Sequence, residues 1–406
     1  MSNVPIAGLY ERYWRGGHAL VRQWPARSLS VSMSTRLAWR NLAHDRTRLL
    51  VAIVGISFAV QLMAVQLSLL FGFAQTASGL IDHSGADLWI AGRGTKDVDQ
   101  ADEIPARRQF EALEVPGVRS ADKYIVHFAI SRRPDGGSEF VILVGFNVVD
   151  RIGGPWNLVA GSVDDLKRSG GIIVDQLYMP RLGITHIGQI IEINRRRVRI
   201  VGITRGIRTF AQSPYIFMSF ETARKIGGIP LDATKYVLLR LNPGADRRMA
   251  SEALARKMPG VDVFTGAEFA AATRFYWLFS TGAGLDLILA AFLGLVIGVA
   301  ITAQTLYASA MDHLPEYATL RAMGTSDRYL ATVIVKQALF NAVGGYAVGA
   351  IVASVVVWIA GQGVAAMWLP WQLLVGLGIV TTLMCVLSGL MAIGRVLKTS
   401  PTSAFR

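Results

Sequence analysis

Charge is scarce in this 406-residue sequence: Asp, Glu, Lys and Arg make up 17% of it, against a hydrophobic share of 52%. Soluble domains carry about 25% charge, so the composition is that of a membrane protein. The one cysteine, Cys385, lies inside an apolar run, which rules out an internal disulfide and a cysteine-built metal cluster. The dipeptide Gly-Lys never occurs, so there is no Walker A loop to wrap phosphates, and any work this chain does must draw energy from a partner. No Gly-x-Ser-x-Gly elbow occurs. His18, His44, His83, His127, His186 and His313 are scattered without the i, i+4 spacing of a metal-binding helix. The expectation is a non-catalytic chain with no cofactor and no metal. A signal peptide is missing too: residues 1–48 hold eight Arg and no sufficiently apolar stretch, so the first long apolar segment is expected to act as an uncleaved anchor.

What the sequence does have is long apolar runs. Leu49 to Ile81 is 33 residues without Asp, Glu, Lys or Arg. A helix of that length spans about 50 Å, longer than the roughly 30 Å hydrocarbon core, so residues 49–81 read as a first span continued by a stalk. Leu287 to Met311 is a second span. Thr265 with Glu268 reads as a capping box that opens a helix running to about Met311, with Gly282 and Gly284 as bends, so residues 265–311 read as stalk plus span. Between Lys336 and Arg395 lie 58 residues without these four charged types, broken by Gly361-Gln362-Gly363 and Leu369-Pro370-Trp371. These breakers predict third and fourth spans over 337–360 and 372–394 with a tight external turn over 361–371. Trp358, Trp368 and Trp371 would belt one interface. Asp286 reads as an interfacial carboxylate. Gln61, Gln66, Gln304 and Asn341 read as polar groups bonding between helices, and Gly344, Gly345 and Gly349 as close-packing positions.

Four spans place both termini on one side. The eight Arg before residue 49 face only Glu11 and Asp45, and the tail 395–406 is basic, so the positive-inside rule makes both ends cytoplasmic. Asp82 to Arg274 is then outside, 193 residues with 27 basic and 22 acidic groups, enough for a folded domain. Strands are expected over Tyr124 to Ser131, Glu139 to Val148, Ile190 to Ile193, Val198 to Ile203 and Tyr236 to Leu241, with Asn194 to Arg197 as a hairpin tip. Helices fit Phe220 to Ile226 and Ala245 to Met258. The fold class is therefore an α-helical membrane protein with four transmembrane helices and a mixed α/β extracytoplasmic domain, residues 82–264, inserted between the first and second. At the N-terminus, Leu9, Tyr10, Tyr13, Trp14 and Trp24 interleave with Arg12, Arg15 and Arg22 as in a helix lying on anionic membrane lipid, and Leu37 to Leu42 reads as a second surface helix.

The segment over 312–336 is the informative one. Pro315 suits the first turn of a short helix, Gly324 its stop, and Ser326 the cap of the next helix. Glu316, Leu320 and Met323 share one face, with Tyr317 and Arg321 on the adjacent stripe. A short helix hung between two spans is a lever that another protein can grip.

Pro315-Glu-Tyr-Ala-Thr-Leu-Arg-Ala-Met-Gly-Thr-Ser326 resembles the coupling segment of the FtsX and MacB class of ABC transporter permeases, with Pro315 in place of the usual basic residue. The stretches Leu37 to Leu42, Arg48 to Ala59 and Ala303 to Leu314 look like the DevC branch, and Ser400 to Arg406 resembles the family's ending. This resemblance implies a partner ABC ATPase, a homodimer, and transmission of ATP-driven motion through Glu316, Tyr317, Leu320, Arg321, Met323 and Gly324 to the outer domain. It also implies a bacterial inner-membrane location and, for the DevC branch, export of a lipid or other amphiphile through a periplasmic membrane-fusion adaptor and an outer-membrane tunnel. A lipoprotein-releasing or cell-wall-hydrolase-regulating permease is the alternative within the class, and a membrane-anchored sensor the alternative outside it. Nucleic acid is not an expected partner.

Overall fold

The computed structural model describes residues 29–396 apart from 45, 134, 210–212, 314, 317–318, 320–322 and 324. The interfacial helix expected before Trp24 and the basic tail after 396 lie outside these residues. Among the described residues four helices are long and apolar enough to cross a membrane: Arg46–Ala77, Ala283–Asp312, Asp327–Ala360 and Trp371–Val396, the first to fourth spans below. A mixed α/β domain is inserted between the first two. Large apolar side chains such as Phe58, Phe292, Ile351 and Leu387 stand more than half exposed along the spans, as required of helix faces whose solvent is lipid.

The chain divides into two compact units, one formed by residues 58–296 and 349–378, the other by the described parts of 1–57, 297–348 and 379–406. In the first unit the strands, in chain order, are β1 (Leu88–Gly92), β2 (Ile104–Pro105), β3 (Val118–Arg132), β4 (Ser138–Phe146), β5 (Leu158–Gly161) and β6 (Gly171–Asp175). They continue with β7 (Ile190–Ile193), β8 (Arg196–Thr204), β9 (Tyr215–Ser219), β10 (Ala233–Thr234), β11 (Tyr236–Leu241) and β12 (Val261–Thr265). Among the described residues ten of them form one sheet in the order β12-β1-β11-β3-β4-β9-β6-β8-β5, with β7 pairing β3 and β8, and β2 pairs β10. All pairings are antiparallel except β4 with β9 and β6 with β8.

Both faces of this sheet are covered. Along β1, Trp89 enters one core with Tyr124, Tyr236 and Phe269, while Leu88 and Ile90 enter another with Leu239, Leu254 and Met258. A third core joins Ile125, Leu143 and Ile172 to Phe220 and Ile226 of the helix Phe220–Gly227. That helix is capped by Ser219, whose Oγ accepts from Thr222 N, and the helix Arg247–Lys257 by Asp246, which places its start two residues after the expected Ala245.

Two sequence expectations change here. The hairpin tip is two residues rather than four, because Asn194 and Arg195 both take positive φ (45° and 63°), as a type I′ turn demands, while Arg196 and Arg197 already pair with Ile193 and Glu192. Asn194 holds the turn by accepting from Ile130 N and donating to Ile226 O. The helix expected to run from Thr265 to Met311 is interrupted: the capping box of Thr265 and Glu268 is present, but an α-helix over Gly266–Phe275 widens to a π turn over Tyr276–Ser280 and stops at Gly282, whose φ of +80° no right-handed helix continues. The third-span helix begins at Asp327, directly after Ser326, where the cap reading of Ser326 placed the start of a helix.

The core around Trp89 holds an acid. Asp99 is almost fully buried, and neither carboxylate oxygen has a hydrogen-bond partner among the described residues. Burial, and secondarily the neighbouring Asp97 carboxylate, pushes it up to about 8. Tyr236 Oη donates to the carbonyls of Val98 and Asp97, which holds this loop in place. Between the ordinary carboxyl value of about 3.9 and the native value near 8 the folded state keeps a proton that the unfolded state has lost, so stability falls as pH rises through that window. The full chain in detergent is expected to melt roughly 5 °C or more lower at pH 8 than at pH 5.5, and Asp99→Asn to flatten much of that slope in a calorimetric or fluorescence melt. An unchanged slope in the variant would show that Asp99 is not the group responsible.

Candidate coupling site and its membrane base

The site is built where the first span begins, the second ends and the third begins. Asp312 closes the second-span helix, where the helix dipole disfavours an acid, and Arg48 on the first turn of the first span forms an ion pair with it. The Arg48 guanidinium also donates to Ala308 O at 3.5 Å. Both side chains are about half exposed, which limits the pair to the ~0–1 kcal/mol of an accessible salt bridge.

Small residues bring the helices together. A Cβ on Gly55 would lie 2.5 Å from Ile301 Cγ2, and one on Gly345 2.5 Å from Ile56 Cβ. Ser57 Oγ donates to Gly345 O at 3.1 Å, and Ser388 Oγ to Val299 O at 3.2 Å. The first span is thereby packed on the second and third, and the fourth on the second, by close backbone approach in place of a hydrophobic drive that lipid does not supply. The helix Leu29–His44 joins the same unit. Lys336 Nζ donates to Ser34 Oγ at 2.6 Å and Thr35 Oγ1 at 2.8 Å, and Trp39 meets Phe340 edge-on at 5.4 Å.

Between the second and third spans, Pro315, Glu316 and Thr319 are helical, with Thr319 Oγ1 donating to Pro315 O at 2.9 Å and Met323 N to Thr319 O at 3.0 Å. Glu316 and Met323 are exposed; Glu316 faces His313 Nδ1 at 3.2 Å. Tyr317, Leu320, Arg321 and Gly324 lie outside the described residues. The third-span helix starts on Ser326, whose carbonyl accepts from Tyr329 N and Leu330 N, and Leu330 with Ile334 packs against Ala310 of the second span. The segment is therefore tied at both ends to packed helix while its described face is open. Sequence reading did not single out Arg48, Asp312, His313 or Gln337 here. The available signal was the charges bracketing the apolar runs, but which charge meets which is settled only by helix packing.

In the other unit, Arg274 at the end of the capped helix binds Asp82 at 2.9 Å and Ser78 Oγ at 2.7 Å, joining the two chain crossings of the inserted domain. Arg208 donates to the carbonyls of Gly361 and Gly363 in the turn between the third and fourth spans. Gly72 abuts the Ala366 carbonyl, and Trp368 N donates to Ser68 O at 3.1 Å. Asp286 is exposed in the first turn of the second-span helix. Among the described residues no group of three His, Cys, Asp or Glu is placed to hold a metal ion.

Comparison with known proteins gives two family matches: the MacB-like periplasmic core domain over residues 49–257 and the FtsX-like permease C-terminal domain over residues 288–401. An uncharacterized ABC transporter permease of Methanocaldococcus jannaschii is 22% identical over 234 residues, which is 54% of this chain and 57% of that relative. The match thus spans little more than half of the relative's length. Among solved structures, the periplasmic region of MacB from Actinobacillus actinomycetemcomitans is similar at 11% identity and a TM-score of 0.36, over 45% of this chain and 90% of that one. The extracellular domain of the noncanonic ABC-type transporter YknZ from Gram-positive bacteria is similar at 13% identity and a TM-score of 0.34, over 44% and 99% of the two chains.

The packing at Gly345 is testable. Gly345→Ala is expected to force the first and third spans apart and cost about 1–3 kcal/mol, seen as a lower melting temperature in detergent. Adding Ile56→Ala should recover part of the loss, and a double variant no more stable than the single one would contradict this contact.

Proposed function

The chain belongs to the FtsX/MacB class of ABC transporter permeases, and we propose that it transmits the ATP-driven motion of a separate ATPase subunit to its extracytoplasmic domain. The observation that carries this reading is the short segment around Glu316 and Met323, open on its described face and anchored at both ends to packed spans. Closure of two ATPase subunits would move it, and the third-span helix, continuous from Asp327, would carry the displacement into the membrane. The absence of any Gly-Lys dipeptide in the chain supports placing ATP hydrolysis in the partner.

On this reading the contacts to the ATPase are Glu316, Tyr317, Leu320, Arg321, Met323 and Gly324, the permease works as a homodimer, and both termini face the cytoplasm. The first-span helix, 32 residues and about 48 Å long, and the capped helix over Gly266–Phe275 carry the stroke outward. Phe269 of that helix lies 5.4 Å from Trp89 and stacks on Phe264 at 5.0 Å, so a pull on it is delivered to the sheet. The DevC-like stretches support a lipid or other amphiphile as cargo, handed to a periplasmic adaptor and an outer-membrane tunnel. Lipoprotein release without an adaptor is the competing reading within the family.

Replacing Leu320 or Arg321 with Asp is expected to lower stimulation of the co-purified ATPase at least tenfold while the chain stays in the membrane; unaltered stimulation would sink the coupling role. Recovery of an adaptor together with the ATPase separates export from lipoprotein release. For orientation, Cys385 is buried and can be replaced by Ala. An impermeant maleimide should then label Ser138→Cys in intact spheroplasts and Ser326→Cys only after lysis, and the reverse pattern would invert the topology.

A further inference from the structure

Two polar side chains on the third span are left unanswered by the packing. Gln337 and Asn341, one turn apart, are 1% and 3% exposed, and Gln337 Nε2 and Asn341 Oδ1 have no hydrogen-bond partner among the described residues. Buried amide groups without partners are rare because each costs about 1–3 kcal/mol, and in a spanning helix they mark a ligand path or a polar contact not yet made. The expectation that Asn341 bonds to a neighbouring helix is not met by its oxygen. Both side chains line a cavity of about 300 Å³ whose walls also include Arg48, Asp312, His313 and Glu316. It holds the Arg48–Asp312 ion pair, Glu316 beside His313, one orphan donor and one orphan acceptor.

A second hollow of about 570 Å³ adjoins it, sharing Arg48 and Thr305. Its surface is mainly apolar, with Leu50, Val51, Val54 and Ile301 among its walls. A polar chamber opening beside an apolar groove, at the end of a span where its first arginines sit, has the shape of an amphiphile site at the boundary of one leaflet.

We propose that this chamber binds one aminophospholipid of the leaflet at which the first span begins. Its phosphate lies against the Arg48 guanidinium and the Gln337 amide, its primary ammonium against Asp312, Glu316 and the Asn341 oxygen, and the start of an acyl chain in the groove. The charge pattern selects this headgroup. Arg48 is already paired with Asp312, so the chamber's carboxylates exceed its fixed cation by one; a free phosphate or a phosphatidylglycerol would add negative charge without a cation to offset it, and a phosphatidylcholine has no N–H to give the Asn341 oxygen. The inference stands on this chain's own residues and is independent of the ATPase, although Glu316 belongs to both sites.

The test is native mass spectrometry of the full chain, delipidated in detergent and offered phosphatidylethanolamine, phosphatidylcholine and phosphatidylglycerol with identical acyl chains. The expected result is one phosphatidylethanolamine per protomer, retained at concentrations about tenfold lower than the other two. Asn341→Leu should lose that retention. Asp312→Asn with Glu316→Gln, at exposed positions where folding is little affected, should erase the preference over phosphatidylglycerol while leaving binding through Arg48. Tail-free glycerophosphoethanolamine should bind at least tenfold more weakly. Equal retention of all three lipids, an unchanged preference in the double variant, or tight binding of the tail-free headgroup would each overturn the proposal.

Discussion

Inside hydrocarbon a backbone polar group finds no water, so each span has to satisfy its own N–H and C=O groups by staying helical, and the rest of this molecule follows from that constraint. The helix breaks fall at the ends of the spans: at Ser78 after the first, at Gly282 before the second, at His313 after it, and over 361–370 between the third and fourth. Between those breaks the helices are continuous for 26 to 34 residues.

Continuous helices keep one arrangement only when their packing fixes them. Lipid offers no hydrophobic drive for association, so the contacts that matter are the backbone approaches at Gly55 and Gly345 and the hydroxyl bonds of Ser57 and Ser388. The inserted domain is tied differently. Its sheet is buried on both faces, and the helix over Gly266–Phe275 enters the aromatic cluster around Trp89 through Phe269. Arg274, Asp82 and Ser78 bind the two chain crossings to each other.

Much of this was legible in the residues, for reasons that differ from element to element. β7 and β11 were read to the residue because Val, Ile and Leu dominate them and turn residues bound them. β1, β6 and β9 were missed. All five residues of β1 and of β6 are buried, so neither strand alternates, and short apolar runs of that kind do not distinguish strand from helix. β9 pairs in parallel with β4, some seventy residues away in sequence, a partnership no local window contains. The helix interruption at Gly282 was half legible: the glycine was seen as a bend, but neither its φ of +80° nor the π turn before it was marked by a local pattern.

The sequence by itself determined that the chain lives in a membrane, how many times it crosses, where the large domain is inserted and that these residues include no Walker A loop. Those are properties of composition, run length and short motifs, each settled within a few dozen neighbouring residues. Only the tertiary structure decided that Arg48 meets Asp312, that Asp99 is stranded in an aromatic core, and that Gln337 and Asn341 line one chamber. Each of these depends on which helix face or strand neighbour is brought opposite, and that choice is made by close packing between segments far apart in the chain.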